Sequence, residues 1–89
     1  MPYVYMLRCR DGSLYTGSAK SVAARVRKHE QGRASRYTRA RLPVTLVWWR
    51  RVRTWSKALR EEYRIKQLRR VDKEALVTLH ATIAASEDR

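Results

Sequence analysis

The chain has 89 residues, 21 of them Lys or Arg against eight Asp or Glu, for a formal charge of +13 and a sequence pI near 11.1. This length admits one domain, expected over 1–85 with a frayed tail at 86–89, and a 44% hydrophobic content argues against disorder. The single cysteine, Cys9, excludes an intramolecular disulfide framework and a cysteine-built zinc site; no run is apolar enough to span a bilayer, the first residues read as a strand and not a signal peptide, and a reducing cytoplasm is the expected compartment.

Residues 3–9 are rich in β-formers, and Asp11-Gly12 separates them from Leu14-Tyr15-Thr16, which predicts a β-hairpin. Two loop lengths are open. A two-residue Asp-Gly loop pairs Arg10 with Ser13 and puts Tyr5 and Tyr15 on opposite faces. A three-residue loop with Gly12 left-handed in a bulge pairs Cys9 with Ser13, and Tyr5, Leu7 and Tyr15 then share a face. Gly17 is expected to end the second strand. Ser21 is placed to cap a helix over 22–31 that Gly32 stops. On that helix Val22 and Val26 form the apolar stripe, and Arg25 and His29, four apart, stack at its edge.

A basic connection follows over 32–43, carrying Arg33, Arg36, Tyr37, Arg39 and Arg41. Pro43 opens a third strand over 44–49, which Arg50, Arg51 and Arg53 continue outward; alternation puts Trp48 and Trp49 on opposite faces. Thr54 or Ser56 caps a long helix to about residue 70, with Trp55, Ala58, Leu59, Ile65 and Leu68 as one apolar stripe. A last helix is expected over 72–85, capped by Asp72. The order is ββαβαα, a small α+β domain.

The charge is concentrated. Between Lys20 and Arg70 lie 17 Lys or Arg and three Asp or Glu, a net of +14, so the rest of the chain carries −1. Sixteen of the basic residues are Arg, whose planar fork grips phosphate in a bidentate way. A polyanion is the natural partner, and nucleic acid the commonest one. A merely soluble basic surface is the plainer alternative. Charge by itself carries no base specificity.

Three sets of residues carry possible chemistry. Glu62 falls within about 30° of the middle of the long helix's apolar stripe at 100° per residue. A carboxylate there is costly unless it is paired or binds a metal, and Lys66 one turn on is a ready ion-pair partner. Arg25 and His29 can aim at one phosphate, the Arg offsetting charge and the His moving a proton; with Arg27 and Lys28 beside them they also fit a solvated basic face. Tyr5 and Tyr15 fit half-buried core positions equally well. Together these side chains supply what phosphodiester hydrolysis needs: help for the water, a cation or metal for the developing charge, and help for the leaving group. Other chemistries lack their parts. Three scattered glycines build no phosphate loop, no second carboxylate is placed for a two-metal site, and nothing local activates Cys9.

Tyr3-Val4-Tyr5, then Tyr15-Thr16-Gly17, then Arg25 and His29 on one helix and Glu62 on a later one, resemble the GIY-YIG nuclease superfamily, and within it the small bacterial proteins of the UPF0213 type. Asp11-Gly12-Ser13-Leu14, Tyr37-Thr38-Arg39-Ala40-Arg41 with Pro43, and Ala58-Leu59 before Glu62 add to the match, which covers roughly residues 2–77. The resemblance implies a three-stranded antiparallel sheet flanked by helices, and DNA cleavage with a divalent metal, usually Mg²⁺, with Mn²⁺ as a second choice. It implies that Tyr5 or Tyr15 assists deprotonation of the attacking water, that Arg25 stabilises the transition state, that His29 supports proton transfer or phosphate contacts, and that Glu62 ligates the metal. If both tyrosines serve one site they share a face, which favours the three-residue loop. Tyr3 stands where many relatives have Gly, and the chain contains no Asn, whereas many members carry one near the end of the domain.

Two functions of different class follow. The first is a metal-dependent endonuclease acting on DNA, with RNA also open, selective for structure or strand state because a module this small makes few base contacts. The second is a nucleic-acid-binding module with weak or no catalysis. In both, Arg27, Lys28, Arg33, Arg36, Tyr37, Arg39, Arg41 and Lys66 are the side chains placed to hold the strand. No obligate protein partner is evident.

Overall fold

The computed structural model describes residues 1–87 and has the order β1 (Tyr3–Arg8), β2 (Leu14–Ala19), α1 (Val22–Glu30), α2 (Arg36–Arg39), β3 (Thr45–Arg51), α3 (Trp55–Lys66) and α4 (Arg70–Glu87). The three strands form one antiparallel sheet in the order β2-β1-β3. The α+β architecture is the expected one, with one helix more.

β1 is central and covered on both faces, so it is a continuous apolar run. Val4 and Met6 pack with Trp48, Ala58 and Ile65 on the α3 and α4 side; Tyr5 and Leu7 pack with Cys9, Ala19 and Val44 on the α1 side. The hairpin takes the three-residue loop. Cys9 N–H donates to the Ser13 carbonyl at 2.9 Å, Gly12 N–H donates to the Cys9 carbonyl at 2.9 Å, and Gly12 has φ 86°. That geometry pairs Arg8 with Leu14 and turns Tyr5, Leu7 and Tyr15 to one face. Trp48 and Trp49 do fall on opposite faces, at 3% and 42% exposure.

Several boundaries differ from the sequence reading. β2 does not end at Gly17 but runs to Ala19. The connection over 32–43 contains the single turn α2, capped by the Ser35 hydroxyl, which accepts from Tyr37 N–H. Thr54, not Ser56, caps α3. α3 stops at Gln67 and not near residue 70, with no Gly or Pro to mark the break. Asp72 is not the cap of α4. It lies in the first turn, where its N–H reaches the Arg69 carbonyl and its carboxylate accepts from the Arg69 side chain at 3.2 Å. Of the tail expected to fray, 86 and 87 continue α4, and 88–89 lie outside the described residues.

The stripe read on α3 is narrower than expected. Ala58 and Ile65 are fully buried and Leu68 packs beside them, but Trp55 and Leu59 are exposed. α3 meets β1 and β2, and only the side chains against those strands are covered. α4 is tied to the hairpin through Arg8, whose guanidinium holds Glu74 at 2.5 and 2.6 Å; Arg8 and Arg70 both donate to the Gly12 carbonyl.

Candidate active site

The site begins with Tyr5 on β1. Its ring lies across Gly17, its register partner on β2, so closely that a β-carbon at 17 would stand 2.5 Å from the Tyr5 hydroxyl and 2.6 Å from the ring carbon bearing it. Gly17 is therefore required by Tyr5 and not by its own backbone, which is ordinary extended chain. The Tyr5 hydroxyl lies 2.8 Å from Nε2 of His29, brought up from α1. His29 Nδ1 lies 2.8 Å from the Thr38 hydroxyl on α2, and the Thr38 hydroxyl in turn donates to the Ser35 carbonyl at 3.3 Å.

This chain of contacts is consistent with one placement of the protons. With the Thr38 hydrogen on Ser35, Thr38 accepts from His29 and Nδ1 carries the proton. Nε2 is then bare and accepts from the Tyr5 hydroxyl. Tyr5, His29 and Thr38 are all essentially inaccessible to solvent. Burial pushes the Tyr5 hydroxyl well above its usual pKa; Tyr15 and Glu62 push the same way, and the Arg25 charge opposes them. Burial also holds His29 below its usual value, with Arg25 adding to the effect. Both groups are neutral at pH 7, a phenol beside a free imidazole lone pair.

Tyr15 walls this pair. Its ring centroid is 6.5 Å from Tyr5 and 5.1 Å from His29, the latter edge-on. Tyr37 stacks outside Tyr15 at 6.1 Å, and the Arg41 guanidinium caps Tyr37 at 3.8 Å. Arg41 also binds Asp11 and the Tyr37 carbonyl. Its fork is occupied within the fold, and among the other cations expected on the nucleic-acid face Lys66 is likewise ion-paired, with Glu62.

Glu62 comes from the other side of the sheet. The Ser18 hydroxyl on the edge strand β2 faces α3 and donates to Glu62 Oε1 at 2.5 Å, and Lys66 Nζ sits 2.7 Å from Oε2. The ion pair with Lys66 is present as the plainer alternative supposed. The carboxylate is nonetheless at the edge strand β2, where the Ser18 hydroxyl reaches it. Tyr5, Tyr15 and His29 thus meet on the α1 face of the sheet, with Arg25 half-buried on α1, while Glu62 lies on the α3 face beside Ser18 of β2.

The predicted strand-holding residues divide. Arg27, Lys28, Arg33, Arg36, Tyr37, Arg39 and Lys66 are exposed; Arg33, Arg36 and Arg39 line a shallow hollow beside Gly32, and Lys28 shares a hollow with Arg25. Sequence reasoning missed Gly17, Ser18 and Thr38 as site residues. Gly17 and Thr38 lay within quoted motifs, but their use shows only when strands and helices are placed. Cys9 is buried with its thiol pKa pushed up by burial, which suits a core residue and not a nucleophile.

No cluster of three or more His, Cys, Asp or Glu exists among the described residues. The donor set still fits a hard cation of the Mg²⁺ type, which keeps most of its waters and needs only one or two carboxylates plus substrate phosphate oxygens. Glu62, with 19% of its side chain exposed and its Oε1 oriented by Ser18, is the carboxylate that could serve such an ion.

A sheet with two tyrosines on one face, a helix-borne Arg and His against them and a Glu at the strand edge is the architecture of a GIY-YIG catalytic domain. The model of that domain family matches residues 1–75, and the chain belongs to the GIY-YIG family. Within it, the chain is similar to UPF0213 proteins of Staphylococcus aureus strains Mu3 and Mu50, each 49% identical over 75 residues, covering 84% of this chain and 92% of theirs. The solution NMR structure of the UPF0213 protein BH0048 from Bacillus halodurans matches with a TM-score of 0.58 and 45% identity, over 89% of this chain and 85% of that one. No helix of the described residues is long and apolar enough to cross a membrane.

Proposed function

We propose that this protein is a divalent-metal-dependent endonuclease that hydrolyses DNA phosphodiester bonds. The observation that carries the reading is the Tyr5–His29–Thr38 hydrogen-bond chain, a path by which a neutral phenol can hand its proton to the imidazole. An incoming water gives its proton to the Tyr5 oxygen while the Tyr5 proton passes to Nε2. The water oxygen forms the new bond to phosphorus, the bond to the leaving oxygen breaks, and that oxygen takes a proton from solvent. Tyr5 never needs to become a phenolate, which its raised pKa would oppose. Arg25 offsets the charge gathering on the phosphoryl oxygens, and Tyr15 keeps the imidazole in place. Glu62 would hold the metal, Mg²⁺ or Mn²⁺, which when bound supplies Lewis-acid stabilisation to the phosphate. Arg27, Lys28, Arg33, Arg36, Tyr37, Arg39 and Lys66 hold the DNA backbone.

The test is cleavage of nicked, flapped, branched, single-stranded and plain duplex DNA with Mg²⁺, Mn²⁺ or EDTA, using wild type, Glu62→Ala and His29→Gln. Metal-dependent cutting lost in Glu62→Ala, with DNA binding kept, is the expected result. Cutting that persists in Glu62→Ala or in EDTA overturns the assignment. One observation favours the second reading, a binding module without efficient catalysis: Ser18 and Lys66 together occupy both Glu62 oxygens. Metal-independent binding with no cutting of any substrate would establish it.

A further inference from the structure

Two hollows lie on the α1 side of the sheet, and of their linings only Arg25 and Lys28 have a part in the reading above. The first is lined by Tyr3, Lys20, Leu46 and Trp49, the second by Lys20, Arg25, Lys28 and Trp55. Lys20 and Ser21 line both, so they form one continuous track with an indole at each end and Arg25 of the candidate site in its second half. Trp49 and Trp55 are 42% and 43% exposed, and neither belongs to a core cluster. Trp49 is braced by His80, with ring centroids 4.2 Å apart. Among the described residues, none of Lys20, Arg25 and Lys28 is ion-paired with a carboxylate.

Alternating exposed aromatics and unneutralised cations suit a ligand that offers flat apolar faces and regularly spaced negative charge. An unpaired nucleic-acid strand does both. A duplex offers the charge but keeps its bases stacked on one another, away from the indoles. An acidic peptide would satisfy the cations and leave both tryptophans in water. We infer that this track binds an unpaired strand, with bases stacking on Trp49 and Trp55, phosphates on Lys20 and Lys28, and the backbone delivered to Arg25. The inference rests on the nuclease reading only for what happens to the strand on delivery.

The experiment measures binding of a labelled 12-nucleotide oligo(dT) and of a hairpin duplex of matched length, in EDTA, by fluorescence anisotropy. The proteins are wild type, Trp49→Ala, Trp55→Ala, Trp55→Phe and Lys20→Gln, each checked by thermal melting. Each alanine variant is expected to weaken oligo(dT) binding roughly tenfold, with duplex binding nearly unchanged and Trp55→Phe close to wild type. Lys20→Gln should lower the salt slope for oligo(dT) by about 0.7. Equal weakening for single strand and duplex, no weakening in properly folded alanine variants, or displacement of oligo(dT) by polyglutamate as readily as by unlabelled oligo(dT), overturns the inference. Its failure is separable from that of the nuclease reading. Tryptophan-dependent binding without metal-dependent cleavage removes the nuclease and leaves the track; cleavage that ignores both tryptophans removes the track and leaves the nuclease.

Discussion

The Thr38 hydroxyl on α2 sits 2.8 Å from His29 Nδ1 on α1, opposite the Nε2 atom that meets Tyr5. Thr38 is fully buried and its hydrogen is committed to the Ser35 carbonyl. A four-residue helix in a loop thereby holds the imidazole that the proposed mechanism uses as proton acceptor.

Thr38→Val should remove the acceptor while keeping the shape. It leaves a buried N–H unpaired, which costs about 1–3 kcal/mol. Urea unfolding should show that loss, and nitrogen NMR of His29 should show a mixture of tautomers in place of one. Thr38→Ser should keep both stability and tautomer close to wild type. A single unchanged tautomer in Thr38→Val would remove Thr38 from the positioning role.

Gly17→Ala tests the close approach to Tyr5. Replacing a glycine by alanine in extended chain ordinarily gains a few tenths to about 1 kcal/mol through the unfolded state. Here the new β-carbon would meet a Tyr5 ring that is 1% exposed and bonded to His29, so the ring has no free space to enter. Overpacking should win, with a net loss of about 1–3 kcal/mol. In Gly17→Ala with Tyr5→Ala the two losses should be less than additive, because the second change removes the atoms the first collides with. Simple additivity in a double-mutant cycle would show that the two do not interact.

His29 makes stability depend on pH in a defined window. Its pKa in the fold lies below the ordinary 6.5 because of burial and the Arg25 charge, and Tyr5, Tyr15 and Thr38 are its other neighbours. As pH falls below about 6.5, the unfolded chain takes up the His29 proton first, so stability falls with pH. The carboxylates with lowered values, Asp11, Glu61 and Glu74, start from 3.8 or 4.5 and act mostly below about pH 5.5. Melting temperature between about pH 6.5 and 5.5 should therefore decline in wild type and flatten in His29→Gln. By the same sign, the acid limb of any cleavage activity should lie below pH 6.5.

The basic side chains should separate into two kinds. Arg41→Ala loses the stacking on Tyr37, about 0.5–1 kcal/mol, and should lower the melting temperature. Arg33→Ala and Arg36→Ala, on an exposed rim, should leave stability within about 0.5 kcal/mol and reduce the salt slope of DNA binding by about one per contact. A melting temperature unchanged in Arg41→Ala would show that its contacts with Tyr37 and Asp11 do not hold α2 to the hairpin.

Local signals carried much of this fold. The Asp11-Gly12 turn, the Ser21 cap with Gly32 beyond α1, and the strand alternation that separates Trp48 from Trp49 each depend on residues within a few positions of one another. The α2 turn and the break after Gln67 were not read from the sequence: the Ser35 cap of so short a helix is a weak signal, and no Gly or Pro marks the break. Five candidate site residues stood out through type, spacing and the family resemblance they carry, and the basic field of the middle segment stood out through charge. What only the tertiary structure decided is how they meet. Tyr5 needs the bare backbone of Gly17 on a neighbouring strand, His29 needs Thr38 from another helix, and Glu62 is turned by Ser18 from across the sheet. Trp55, read as core from its helical spacing, is exposed because α3 presents a narrower face to β1 and β2 than its own periodicity offers. Periodicity states which side chains an element can bury; the neighbours that arrive by folding decide which ones it does.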